Sequence, residues 1–248
     1  MLDKKTPEEI QILREGGKIL GQILRQLAED VTVGNTGKNL NAKAEELIKQ
    51  AGAMPSFKNY QGFPDALCVS INEAVVHGIP NDRPFVEGDL VGIDIGIKYK
   101  GLYTDTAMTV GVGKIDKKAQ QLLEVTKKSL DIAIDQLKIG AYISDIGQAI
   151  EKYVKPYGYG IVRDLAGHGV GRQVHEDPSI PNYYLGKKSV KIYDGMVIAI
   201  EPMLIMGGDW RIKTASNKWD VISKDGSLTA HFEHSIAITE NGPIILTE

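Results

Sequence analysis

Leu90-Val91-Gly92-Ile93-Asp94-Ile95-Gly96-Ile97-Lys98, then Tyr99-Lys100-Gly101, then Leu102-Tyr103-Thr104-Asp105-Thr106-Ala107-Met108-Thr109-Val110 is the stretch that decides the fold. Two strand-like runs around a Gly-containing turn read as a β-hairpin. Alternation puts Ile93, Ile95 and Ile97 on one face and Gly92, Asp94 and Gly96 on the other. The isoleucine face can pack under helices. The opposite face is cleared by its glycines and leaves room for an ion beside Asp94. A turn centred on Tyr99-Lys100 places Asp94 directly opposite Asp105, with Cβ atoms only ~5 Å apart. Two like charges that close destabilise a sheet unless something positive lies between them.

On the N-terminal side, Thr6-Pro7-Glu8-Glu9 is a capping-box pattern with Pro at the first helical position. Ile10, Leu13, Gly17, Leu20, Leu24 and Leu27 continue it as one apolar stripe. A second helix is expected from about Asn41 to Gln50, stopped by Gly52, and a strand from Leu67 to Asn72. On the C-terminal side, helical spacing returns at Ala119, Leu122, Leu123, Thr126, Leu130, Ala133 and Leu137. A further helix has Ser144 as its expected N-cap and Ile146, Ile150, Tyr153 and Val154 as its apolar face. Strands follow over Met196–Leu204 and Ala230–Thr239. The order helix, helix, strands occurs twice, with no Pro- or Ser-rich linker between. The expectation is one α+β domain over residues 1–248, with pattern-related halves of about 1–113 and 114–248 and helices outside a single curved sheet.

The second half offers further carboxylates. Glu201 ends the apolar run Val197-Ile198-Ala199-Ile200, and Glu233 lies between Phe232 and His234. All five histidines (His77, His168, His175, His231 and His234) fall in apolar or Gly-rich segments. Burying four unpartnered carboxylates costs several kcal/mol each, and two divalent cations cancel about four negative charges. An oxygen-rich set of four carboxylates and one imidazole suits Mn, Fe(II) or Co(II) better than a closed structural zinc site. A pair of ions ~3.5–4 Å apart polarises a carbonyl and makes water a nucleophile near neutral pH.

Bulk properties exclude other classes. The 29 Lys plus Arg and 32 Asp plus Glu give a formal charge of -3, so there is no basic footprint for nucleic acid. Cys68 is the only cysteine, which rules out an internal disulfide. No apolar run is long enough for a membrane span, and the start MLDKKTPEEIQ lacks a secretory pattern. A cytoplasmic protein is expected.

The segments Val69-Ser70-Ile71-Asn72-Glu73, His77-Gly78-Ile79-Pro80, Gly92-Ile93-Asp94, Asp105, Gly167-His168-Gly169-Val170-Gly171, His175-Glu176-Asp177-Pro178, Glu201-Pro202 and Phe232-Glu233-His234 resemble those of type I (bacterial-type) methionine aminopeptidases, in the same order over nearly the whole chain. The resemblance implies the pita-bread (creatinase/aminopeptidase) fold, a curved antiparallel sheet with outer helices and pseudo-twofold halves. It implies removal of the N-terminal methionine from nascent or newly made proteins, with two divalent ions (Co2+, Mn2+, Fe2+ or Zn2+). By position, Asp94 would chelate one ion, His168 and Glu201 the other, and Asp105 and Glu233 both. Glu201 would take the proton from the attacking water. His175 would hydrogen-bond the scissile carbonyl oxygen, and His77 would contact the substrate near the scissile nitrogen. Tyr60, Phe63 and Trp219 match positions lining a pocket for the methionine side chain. A monomer acting on peptide or nascent-chain N-termini, with transient ribosome contact, is implied as well.

Some positions depart from that pattern. Tyr103-Thr104 replaces His-Gly, His231 stands where Gln is usual, Phe57 and Val174 differ from typical pocket neighbours, and the stretch from Met206 to Asn217 is long. Two alternatives share the implied fold: an Xaa-Pro aminopeptidase or dipeptidase, and a non-catalytic binding protein. The first usually carries an extra N-terminal domain. The second is expected to have lost ligands, and all five are present here.

Overall fold

The Thr6 side chain accepts a hydrogen bond from Glu9 N–H while Thr6 N–H donates to the Glu9 carboxylate (2.8 Å), so the expected capping box starts helix α1, Pro7–Glu29. The computed structural model describes residues 4–248. Helix α2 covers Gly37–Gln50, starting earlier than expected because Thr36 caps it by accepting from Asn39 N–H. Strands β1 (Met54–Pro55), β2 (Leu67–Ile71), β3 (Ala74–Val76), β4 (Leu90–Tyr99) and β5 (Leu102–Gly111) follow. Next come α3 (Lys117–Ile134) and α4 (Ile143–Val154). The remaining strands are β6 (Gly160–Ile161), β7 (Gly167–Gly169), β8 (Glu176–Ile180), β9 (Val197–Ile200), β10 (Met203–Ile205), β11 (Ile212–Thr214), β12 (Val221–Ser223), β13 (Thr229–His231), β14 (Glu233–Thr239) and β15 (Gly242–Ile245). Ser144 is not the cap of α4. Tyr142 is, with its N–H donating to Asp145 Oδ2 (2.9 Å), and Ser144 lies inside the first turn.

A curled antiparallel sheet runs β1-β4-β5-β14-β9-β7-β8, with β2 on β4 and β15 on β14. The isoleucine face of β4 packs in one core with Leu20, Leu24 and Leu27 of α1 and Leu40 and Ile48 of α2. Leu122, Leu130, Ile146 and Ile150 of α3 and α4 form another core with Ile198, Ile200, Ile236 and Ile238. Helix α1 lies close on the chain end: a Cβ on Gly17 would run into the Leu246 carbonyl. All four helices thus cover one face of the sheet and leave the other free. No helix among the described residues is long and apolar enough to cross a membrane.

Two expectations need correction. The hairpin pairs Tyr99 with Leu102, so its turn is Lys100-Gly101 and not Tyr99-Lys100. Both turn residues have positive φ (47° and 92°), as the tight two-residue hairpin turn requires. Asp94 therefore faces Ala107 while Asp105 faces Gly96. The two carboxylates share a face but are diagonal neighbours, farther apart than direct opposition allows. In addition, Met196–Leu204 and Ala230–Thr239 are not two strands but four. The first breaks at Glu201-Pro202 into β9 and β10, and the second breaks at Phe232 into β13 and β14. Pro202 has no N–H to continue a ladder. Strands β9 and β14 stay in the large sheet, whereas β10 and β13 pair with each other in a separate three-stranded sheet with β6.

Candidate metal centre

The free face of the sheet carries the carboxylates in rows set by register. Asp94, Ala107 and Glu233 are paired in line across β4, β5 and β14. The next row runs from Gly96 to Asp105 across β4 and β5; Ser235 Oγ bonds the Asp105 backbone on both sides (2.9 Å and 2.7 Å). Ser235 then pairs with Ala199, and Ala199 with His168. Glu201, two residues beyond Ala199, projects to the same side at the break between β9 and β10. Strand alternation thus gathers all five expected metal-binding residues over the middle of the sheet. One ligand atom each from Asp105, His168 and Glu233 lies within 4.8 Å of the others. His168 Nε2 is 3.7 Å from Glu201 Oε1.

The electrostatics of this cluster are those of a cation site. Burial drives Asp94 up to about 7. Burial first, then the neighbouring carboxylates, pushes Asp105, Glu201 and Glu233 well above the usual carboxylate range. Among the described residues no group donates to Asp94 Oδ1 or Asp105 Oδ1, although both atoms are buried. Such atoms are costly unless something positive satisfies them. His168 Nδ1 lies 2.8 Å from the Gly169 carbonyl. A carbonyl only accepts, so the proton sits on Nδ1 and the Nε2 lone pair is free for a metal. Burial, then His175, holds the His168 pKa down at about 4, which keeps it neutral. The donors therefore fit divalent cations on charge, tautomer and unsatisfied valence.

These residues form the floor of a cavity of about 470 Å3. His77, at a positive φ of 59°, and His175 stand at its sides. Enclosure by the cavity walls keeps both imidazoles below their ordinary pKa. His175 Nδ1 is 3.0 Å from the Tyr60 hydroxyl, and its ring meets that of His168 edge-on at 4.3 Å. The expected aromatic residues are here too. Phe63 packs edge-to-face on Trp219 at 5.2 Å, in a cluster with Phe57, Cys68 and Val174 and, at its margin, Tyr60, Ile79 and Tyr103. Of the positions that depart from the resembling pattern, Phe57 lines the cavity's apolar end, while Val174 and Tyr103 belong to the apolar cluster packed around it. The long stretch before Trp219 folds as the β11–β12 hairpin, and Asn217 Oδ1 accepts from Trp219 N–H (3.0 Å) to set its turn.

Cys68, Asp164 and Ser179 also line the cavity and were not anticipated. Cys68 could have been found: it pairs directly with Asp94 once β2 is placed beside β4. His231 is buried with its Nε2 3.6 Å from Glu201 Oε2, so the unusual histidine abuts one of the carboxylates expected to bind metal. His234 points away from the site and bonds Thr247 Oγ1 (2.9 Å).

The sequence pattern of metallopeptidase family M24 matches residues 11–240. A methionine aminopeptidase of Clostridium acetobutylicum is 44% identical over 248 residues, 100% of this chain and 99% of that protein. The chain belongs to the methionine aminopeptidases of family M24. Methionine aminopeptidase 1 of Bacillus subtilis is 45% identical over 247 residues, again spanning 100% of this chain and 99% of the relative. The solved methionine aminopeptidase of Thermotoga maritima superposes with a TM-score of 0.97 at 42% identity, each chain covered in full. The prolidase of Pyrococcus furiosus shares the fold more loosely, at a TM-score of 0.79 and 28% identity, with 65% of its length covered. The pita-bread architecture is therefore the fold of this M24 chain.

Proposed function

We propose that the chain removes the N-terminal methionine from nascent or newly made proteins by water attack on the first peptide bond. The observation that carries this reading is a set of four carboxylates and one neutral imidazole lining one cavity, with two orphaned aspartate oxygens, beside an apolar aromatic pocket. In this reading Asp94, Asp105, His168, Glu201 and Glu233 would hold two divalent ions. Bound there, they would supply Lewis-acid polarisation of the scissile carbonyl and a water of lowered pKa. Glu201 would take up a proton from the attacking water. Donation from the Tyr60 hydroxyl to His175 Nδ1 leaves the His175 Nε2–H to bond the carbonyl oxygen as charge develops on it. His77, neutral by its enclosure, contacts the substrate near the scissile nitrogen. Tyr60, Phe63 and Trp219 line an apolar slot that fits a flexible thioether.

The same reading takes the chain as one catalytic domain of two pseudo-symmetric halves, about 1–113 and 114–248. It takes the protein as a cytoplasmic monomer in transient contact with the ribosome. Release of Met from Met-Ala-Ser, compared with release of the first residue from an Xaa-Pro peptide under anaerobic Mn2+ or Fe2+ loading, tests the activity. Preference for the Xaa-Pro peptide, or no divalent ion bound after loading, overturns it.

A further inference from the structure

Lys5 is 1% exposed, an extreme value for a lysine, and its Nζ lies 2.6 Å from Glu176 Oε2. Its stem passes against Gly171, where any Cβ would collide with it. The other Glu176 oxygen, Oε1, accepts the backbone N–H groups of Arg172 and Gln173. One carboxylate thus holds the N-terminal segment with one oxygen and the 171–175 loop with the other. His175 is the residue next to it in the chain. A second clamp lies beside the first. Arg172 Nε and Nη2 bond the two oxygens of Glu9 (2.8 Å and 2.7 Å), and Glu9 belongs to the capping box of α1. Lys5 N–H also donates to the Gly195 carbonyl (2.8 Å), which fixes the segment to the sheet side.

We infer that Lys5 and Glu176 are positioning residues for His175. A buried ion pair is poor value for stability alone, because both charges lose their water. Here the pair fixes a short loop held to the core only by Gly171 and Val174, with Arg172, Gln173 and His175 exposed, and the loop carries the imidazole that must meet the carbonyl oxygen. Glutamine cannot replace Glu176, since it has one acceptor oxygen where two are in use. The inference rests on the role of His175 proposed above.

The test is a cycle of K5M, H175A and the double variant, each loaded with Mn2+ and assayed on Met-Ala-Ser, with bound Mn2+ and Tm measured alongside. A misplaced donor costs tenfold to 10²-fold in rate. K5M is expected to lower kcat by at least about tenfold in the native background, with bound Mn2+ and KM changed less than about twofold. In the H175A background the same change is expected to cost less than about twofold. Equal losses in both backgrounds, or a lowered Tm with kcat intact, would overturn the inference. If K5M does not fold, E176Q is carried through the same cycle with the same criteria. An H175A enzyme with undiminished kcat would instead sink the role given to His175, which is a separate failure.

Discussion

Stripping the metal makes a pH-dependent weakness that the charge cluster defines. Burial raises Asp94 to about 7 and Asp105, Glu201 and Glu233 well above the carboxylate range. In the unfolded chain all four titrate near pH 4. Above that pH the metal-free native state holds protons that the unfolded state has lost, so stability falls as pH rises. The histidines oppose this. His77, His168, His175, His231 and His234 are all lowered in the fold, His168 to about 4 and His231 to about 3, mainly by burial. Their effect is a gain of stability with rising pH, and it is complete only near pH 7.5, about a unit above the pKa of the unfolded imidazoles. Between pH 6.5 and 8 the five imidazoles still return about 2 kcal/mol, in the chelated and the metal-loaded protein alike, so the carboxylate contribution is the difference between the two. Each proton retained by the cluster costs about 1.4 kcal/mol per pH unit. One retained proton therefore removes about 2 kcal/mol over this window, and two remove about 4 kcal/mol. Stopping at pH 8 also keeps clear of the unfolded Cys68 thiol, which titrates near 8.5. The assay is urea denaturation at half-unit pH steps, in chelator and in Mn2+. The chelated protein should lose stability relative to the loaded protein across the window, because ions replace the protons in the loaded one. A chelated protein that loses no stability relative to the loaded one across the window would refute the charge argument.

Replacing Asp105 or Glu233 by Ala should abolish peptide hydrolysis, measured as Met release, because each is assigned to both ions; retained turnover removes the two-ion mechanism. Gly167→Ala places a methyl group against the Ala199 carbonyl and must shift His168; Mn2+ affinity by calorimetry should fall at least about tenfold, as for loss of a ligand's support. Trp219→Ala opens the aromatic slot and should raise KM for Met-Ala-Ser more than it lowers kcat; the reverse pattern would place Trp219 outside the substrate's reach. Thr6→Ala removes the α1 cap and should cost about 0.5–2 kcal/mol in denaturant melts, with bound metal unchanged.

Asp94, Glu201 and Glu233 drew attention in the sequence because each stands in or against an apolar run, a costly arrangement that something must offset, and Asp105 because the hairpin brings it near Asp94, whereas His168 was singled out among five histidines only by the family resemblance. Period alone also exposed α1, α3 and the hairpin. Register was harder. Lys100 is not a residue one assigns to positive φ, so a turn at Lys100-Gly101 was passed over and Asp94 and Asp105 came out one step too close. The breaks at Pro202 and Phe232 were hidden by the continuous hydrophobicity on both sides, which is the same whether a strand continues or changes sheet. The Lys5–Glu176 pair gave no signal, because two residues so distant in the chain carry no shared pattern. Cys68 was missed for want of a partner strand for β2.

The hairpin turn has a meaning beyond its own few residues. Asp94 lies six residues from Lys100, about 20 Å along the strand, yet the two-residue turn dictates which side chain of β5 stands across from it. Adding one residue there would slide β5 by a single position and rotate Asp105 to the helix-covered face. The hairpin could still form, and every carboxylate would still be in the gene. The turn works as the origin of a scale on which the catalytic chemistry is marked off, so a deletion or insertion far from the cavity is a more complete way to silence this enzyme than many substitutions inside it.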